Sequence, residues 1–388
     1  MILNNVKPVD SNTPINIKID GGKIAKLFPL PIVDAGILQI DLHNALIFPG
    51  LINSHDHLDF NLFPQLGKNH YNNYTEWGKY IHERYKTEIT AVLKIPVELR
   101  YKWGIYKNLL CGVTTVIDHS ETIGTSNDLI TVFKDSQVIH SVGFEKHWKL
   151  KLNNPLNIHL PVNIHVGEGI DPQSNKEISQ LLNWNILSKK LIGVHAVGMT
   201  ENQAEKFEAI VWCPQSNYFL LGKTALIDVL KKHTNILFGT DSTLTSEWDI
   251  WEHLRSARNT KLLTNAELFN AITINAAKTW RLNSGQIAQG KDADLVIAKK
   301  TDNKAGFDAF YEVTPADFLL IVHQGEITLF DEELSGQLAE IENNFSKIQI
   351  DGVFKYVKGD LPGLMAEIRK HNPNANFPKN VTANIDNF

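Results

Sequence analysis

Seven short runs of the chain share one design: apolar residues lead into a polar or reactive one. They are LINSH (51–55), GVTTVIDH (112–119), QVIHSVGF (137–144), PVNIHVGE (161–168), LIGVHAVG (191–198), AIVWCPQSN (209–217) and NILFGTDS (235–242). The runs are nearly continuous in hydrophobicity rather than alternating, as parallel strands buried on both faces require. Helical signals fall between several of them. Thr200 with Gln203 and Thr264 with Glu267 have capping-box spacing, and SEWDIWEHLRSAR (246–258) repeats Trp248, Trp251 and Leu254 near helical period. Alternating strands and helices over 50–284 predict an α/β chain with a (β/α)8 TIM-type barrel, a fold of typically about 250 residues.

The flanks have another texture. INIKID, GGKIAKLF and NALIF on one side, and GQIAQGKDADLVIA and FLLIVHQGEITLF on the other, are short β-prone runs with Gly-rich turns. Residues 1–48 and 285–345 therefore predict one small β-sandwich domain formed by both chain ends, with the barrel 49–284 inserted between them. Residues 346–388 read as a C-terminal tail with partial helix, polar and poorly ordered at its end. Two helices are expected near 331–346 and 361–371. The stretch 144–161 is too short for a full helix and strand, so either LNIHL is a shortened fourth strand or one barrel unit is degenerate.

Composition narrows the function classes. Lys plus Arg is 38 against 43 Asp plus Glu, a net charge of −5, which offers no basic field for nucleic acid. No apolar run is long enough to span a bilayer, and MILNNVKPVD lacks the pattern of a signal peptide. Two cysteines, Cys111 and Cys213, exclude a disulfide framework and suggest a reducing, cytoplasmic setting. Fifteen histidines, by contrast, invite a search for metal chemistry.

Residues i and i+2 of a strand point the same way, so His55 and His57 face together at the C-terminal end of the first barrel strand, where barrel active sites lie. His165 and His195 end later strands. Asp241 ends the last, which closure of the barrel would set beside the first. Imidazoles plus a carboxylate around one point suit Zn²⁺, or Fe²⁺ as second choice. Such a cation lowers the pKa of water towards neutrality.

The residues PGLINSHDH, HVGEG, GVHA, CPQSN and GTDS, in this order, resemble the amidohydrolase superfamily, and within it the metal-dependent deaminases and chlorohydrolases. NAAKTWRLNSGQIAQGKDADLVI is similar to the return from barrel to flanking β domain in that superfamily. The resemblance covers about residues 40–300. It implies His55, His57, His165 and Asp241 as ligands of one divalent metal, with Asp241 also taking a proton from water. It implies Glu168 as the proton shuttle to the substrate and His195 as the contact to attacking water or the developing tetrahedral centre. The implied substrate is a small nitrogen heterocycle, deaminated at a cyclic amidine. Attack at a ring C=N carbon asks independently for a carboxylic acid that protonates the ring nitrogen. The alternatives are hydrolysis of an imidazolone-type ring or an amide, and a non-catalytic relative acting as a binding protein. Whether the chain forms a homo-oligomer stays open. Binuclear members of the superfamily use a carboxylated lysine from the fourth strand, and Lys146, Lys149 and Lys151 have no clear strand-end placement.

Several residues carry two readings. Asp118 and His119 either orient a metal ligand or form a structural hydrogen-bonded pair. Cys213 lacks an activating neighbour and reads as a buried small side chain. Asn217 either positions a loop near the site or belongs to the Pro214 turn. The aromatic insert bearing Phe60, Phe63, Tyr71, Tyr74 and Trp77 either stacks on a flat substrate or packs onto the barrel. His140 and the remaining histidines read as surface or core residues.

Overall fold

The computed structural model describes residues 1–11, 13–30, 36–120, 127–299 and 304–383. Along the chain, β1 (Ile2–Pro8), β2 (Ile15–Asp20), β3 (Lys23–Phe28) and β4 (Gln39–Pro49) precede a parallel region. That region holds β5 (Leu51–Asp56), β6 (Val113–Asp118), β7 (Thr131–Phe133), β8 (Gln137–Ser141), β9 (Val162–Val166), β10 (Leu191–His195), β11 (Ala209–Trp212) and β12 (Asn235–Phe238). Then follow β13 (Leu295–Ala298), β14 (Phe318–His323), β15 (Glu326–Asp331), β16 (Phe345–Ile350), β17 (Val353–Lys358) and β18 (Val381–Ala383).

Among the described residues, β5–β7 form one parallel sheet and β8–β12 another, each with its strands in chain order. The two meet beyond β12, where the Thr240 and Asp241 amides both donate to the His55 carbonyl at 3.1 Å. Every residue of β5, β6, β9, β10 and β11 is buried, which accounts for their unbroken hydrophobicity. Ile52, Ile117, Ile192, Val194, Val211 and Leu237 share one apolar cluster with Trp280 from the helix Ile274–Trp280.

The stretch 144–161 holds a short helix, Trp148–Leu152, between β8 and β9, and the missing crossover lies upstream of it. Only residues 134–136 separate β7 from β8. A hydrogen-bonded parallel pair needs a crossover of about a dozen residues, so the ladder is interrupted there. LNIHL is not a strand; Pro155–Asn157 form a 3-10 turn. ITVF, which supplies β7, escaped the sequence reading because it carries no strand-end signal.

Both chain ends enter one continuous ten-stranded sheet, ordered β18-β16-β17-β15-β14-β13-β4-β1-β2-β3. Its core draws Leu3, Ile17, Ile40, Ile47, Leu295, Leu320 and Phe330 together. The sheet runs on through β16 and β17 to Lys358, and β18 bonds β16, so residues expected in a tail are ladder residues. The helix expected near 331–346 is broken into a 3-10 turn at Glu332–Leu334, one α-helical turn at Ser335–Leu338 and a 3-10 turn at Glu342–Asn344, while Leu361–His371 is helical. Residues 384–388 of the expected polar end lie outside the described residues. Both capping boxes form, at Thr200 and Thr264, but the first opens a helix of only four residues. Among the described residues, no helix is long and apolar enough to cross a membrane.

Candidate active site

The site begins with a slip in strand pairing. Asn53 pairs with Val116 and Asp56 with Asp118, so β5 carries one more residue than β6 over this interval. Such a bulge re-aims side chains. Asn53 and Asp56 both reach Asn108 on the helix Val97–Leu110, while the rings of His55 and His57 turn to His165 and Asp241. His165 Nε2 lies 3.1 Å from His55 Nε2 and 3.4 Å from His57 Nε2. Asp241 Oδ1 lies 3.9 Å from His55 Nε2 and 3.8 Å from His57 Nε2.

Asp241 and His195 depart from strand geometry, with φ of +57° and +71°. Non-glycine residues enter this region at an energetic cost and gather at functional sites. Asp241 is held on all sides: Oδ2 accepts from the Ser216 hydroxyl at 2.7 Å and the Thr245 hydroxyl at 3.0 Å, and Oδ1 from the Ser242 amide at 2.8 Å. Burial alone would raise its pKa. The imidazoles of His57 and His195, with the Ser216 and Ser242 donors, outweigh that and hold the carboxyl below its ordinary value.

The histidines suit cation ligation. Burial first, then neighbouring imidazoles, lowers the pKa of His55 and of His165 well below the usual range, so both are neutral. His165 Nδ1–H donates to the His140 carbonyl at 2.8 Å, which leaves Nε2 as a bare lone pair aimed at the other rings. His55 Nδ1 is buried without a partner. Lone pairs so gathered repel unless a proton or cation joins them. Two overlapping donor groups form, His55/His57/Asp241 and His55/His165/His195, each with its ligand atoms within 4.8 Å of one another. Nitrogen plus one carboxylate is the donor chemistry that zinc and iron take.

Glu168 and His195 complete the ring of groups. Glu168 Oε1 stands 3.6 Å from His195 Nε2. His195 Nδ1–H donates to Asn217 Oδ1 at 2.9 Å, leaving Nε2 to face Glu168. Burial, then the charges of Asp241 and Glu177, raises Glu168 well above the ordinary carboxyl pKa. Its backbone is pinned, since the Tyr74 amide donates to its carbonyl at 3.0 Å.

Ser216, Thr245 and the His140 carbonyl were not singled out by the sequence reading. Only CPQSN, which spans Ser216 and Asn217, carried a signal. Asn217 takes the positioning option, through His195. His119 joins the cluster, its ring 4.3 Å from that of His165, and neither of its nitrogens makes a well-formed hydrogen bond. Asp118 holds the turn beyond β5 by accepting from the Leu58 and Ser120 amides. Cys213 is buried, and burial pushes its thiol up. Of the aromatic insert, Phe60 stacks on His57 at 5.4 Å, whereas Trp77 donates to the Leu66 carbonyl. Lys149 and Lys151 lie on the helix Trp148–Leu152 and engage Trp184 and Glu145.

The model of the amidohydrolase family matches residues 150–359. The chain belongs to that family, and it spans about a third to a half of the length of the first curated relatives it matches. It is 32% identical over 141 residues to 5-methylthioadenosine/S-adenosylhomocysteine deaminase 1 of Archaeoglobus fulgidus, a match covering 32% of this chain and 33% of that protein. A protein of the same activity from Pyrococcus furiosus is 25% identical, with 80% and 90% covered. The fold resembles that of an adenosine deaminase from Xanthomonas campestris solved with zinc, at a TM-score of 0.70, 16% identity, and 96% and 97% coverage.

Proposed function

We propose that this chain is a metal-dependent aminohydrolase that deaminates a small cyclic amidine of the nucleobase or nucleoside kind. The observation that carries the reading is Glu168: a buried carboxyl raised well above its ordinary pKa, 3.6 Å from His195, beside two overlapping groups of metal-type donors. His55, His57, His165 and Asp241 are the ligands in this reading. The chemistry that a divalent cation, Zn²⁺ first and Fe²⁺ second, supplies there is Lewis-acid charge that lowers the pKa of water.

The chain's own groups do the rest. Asp241, ionised, accepts a proton from the attacking water. Glu168 delivers its proton to the ring nitrogen next to the amino-bearing carbon, making that carbon electrophilic. Water oxygen bonds to this carbon, and the proton taken up by Asp241 passes to the exocyclic nitrogen. The C–N bond then breaks to release ammonia, while the hydroxyl proton returns to the Glu168 carboxylate as the ring carbonyl forms. His195 Nε2 accepts from the attacking hydroxyl group, its orientation fixed by Asn217. The names of the relatives put adenine nucleosides first among substrates. In the same reading 49–284 is a (β/α)8 barrel inserted into a β domain built from 1–48 and 285–345, to which β16–β18 add.

Incubation with adenosine, 5-methylthioadenosine, guanine, cytosine and cyclic ureas tests this. Ammonia release with a ring carbonyl in the product is expected. Products that are only ring-opened carboxylates would replace deamination with cyclic amide hydrolysis.

A further inference from the structure

Behind the bulge lies a buried ion pair that the proposed chemistry does not use. Lys107 Nζ meets Asp56 Oδ2 at 3.0 Å, with side-chain exposures of 2% and 0%. Burying two charges is costly, and the pair persists only where the remaining hydrogen-bonding capacity is filled. Asp56 is filled: Oδ2 also accepts from Asn108 at 2.8 Å, and Oδ1 from Asn61 at 2.8 Å. Asp56 sits between His55 and His57 in sequence, so fixing its carboxylate fixes the peptide units that carry both imidazoles.

The network then crosses to the other strand. Thr240 Oγ1 accepts from Lys107 Nζ at 3.3 Å and from Asn53 Nδ2 at 2.8 Å, and donates to the Asp241 carbonyl at 2.9 Å. Asn53 Oδ1 accepts in turn from the Thr240 amide at 3.1 Å. Thr240 immediately precedes the residue whose left-handed backbone aims a carboxylate at His55 and His57. The path from Asp56 through Lys107 and Thr240 to Asp241 therefore couples the two halves of the donor set.

We infer that Lys107 and Thr240 are positioning residues that set the spacing between the His55/His57 pair and Asp241, and hence the affinity for the cation. This deepens the proposed function, since it rests on those residues holding a metal. Its test measures the zinc dissociation constant of metal-free full-length protein by chelator competition, beside the melting temperature. Thr240→Val, which leaves no charge stranded, should weaken zinc by about 10–100-fold, the usual effect of losing a group that orients metal ligands. Thr240→Ser, which keeps the hydroxyl, should restore it. Lys107→Met should weaken zinc at least as much. Lys355→Met, which breaks a buried pair in the ten-stranded sheet, should lower the melting temperature and leave zinc affinity unchanged. Should Lys107→Met not fold, Thr240→Val decides alone. Folded Thr240→Val with native affinity overturns the inference, as does an equal loss of affinity in Lys355→Met. A native protein that takes up no zinc removes the functional reading as well, so the two failures are told apart.

Discussion

Lys107 and Lys355 are both almost wholly buried, yet the regions around them are built differently. In the ten-stranded sheet, Lys355 Nζ donates to the carbonyls of Ala316 and Phe318 and to Asp331 Oδ2, at 2.7, 2.6 and 2.6 Å. An ammonium has three donors, and all three end within that sheet and its flanking turn. Lys107 instead passes its contacts from β5 to the residue before Asp241. Beyond it, His55 Nδ1 is buried without a partner, and neither nitrogen of His119 makes a well-formed hydrogen bond. Burial of charge costs the same in both places. The sheet recovers that cost in local closure, whereas the strand ends keep unsatisfied nitrogen lone pairs that a ligand can use.

The widest break in this comparison should come from Glu168→Gln. If the strand ends serve chemistry, the variant should lose about 10²–10⁴ in turnover, the scale of general acid–base catalysis, while melting near the native temperature. Unchanged turnover in steady-state assays would remove Glu168 from the proton path. The converse is Lys355→Met, which leaves the buried Asp331 carboxylate with only the partly exposed Lys299, 3.3 Å from Oδ2, as its cation. It should cost at most about 3–5 kcal/mol in denaturant unfolding, with turnover below the transition as in the native protein. Loss of turnover without loss of stability would dissolve the distinction between the regions.

A smaller effect separates titration from ligation within the parallel-strand region itself. Asp249 caps the helix Ile250–Thr260 by accepting from the Trp251 amide, and burial raises its pKa to about 7. The folded chain thus keeps this proton at pH values where the unfolded chain has released it. Stability from this group is complete below the ordinary carboxyl pKa and is lost as pH rises towards about 7. Asp249→Asn can still cap the helix and should flatten that fall in melting temperature between about pH 4 and 7. An unchanged slope would assign the dependence to another group.

What the sequence disclosed follows the same division. Residues at the ends of apolar runs stood out because ionisable side chains such as His55, His165, His195 and Asp241 are costly to bury beside apolar strand residues. The partners that aim them were not. Ser216, Thr245 and the His140 carbonyl act across loops whose proximity exists only after folding. Lys107 sits in a helix where a lysine reads as surface. The bulge at His55 has no composition of its own. β7 has only three residues, and β16 and β17 mix fully buried with partly buried or exposed positions, so neither the apolar-run criterion nor a strand-end signal reaches them.

The central claim is that His55, His57, His165 and Asp241 converge to hold a cation. Zinc titration of the metal-free protein, native beside His165→Ala, tests it most directly. The account predicts a single tight site in the native chain and its loss in the variant. Equal zinc binding by both proteins, or none by the native one, would contradict it.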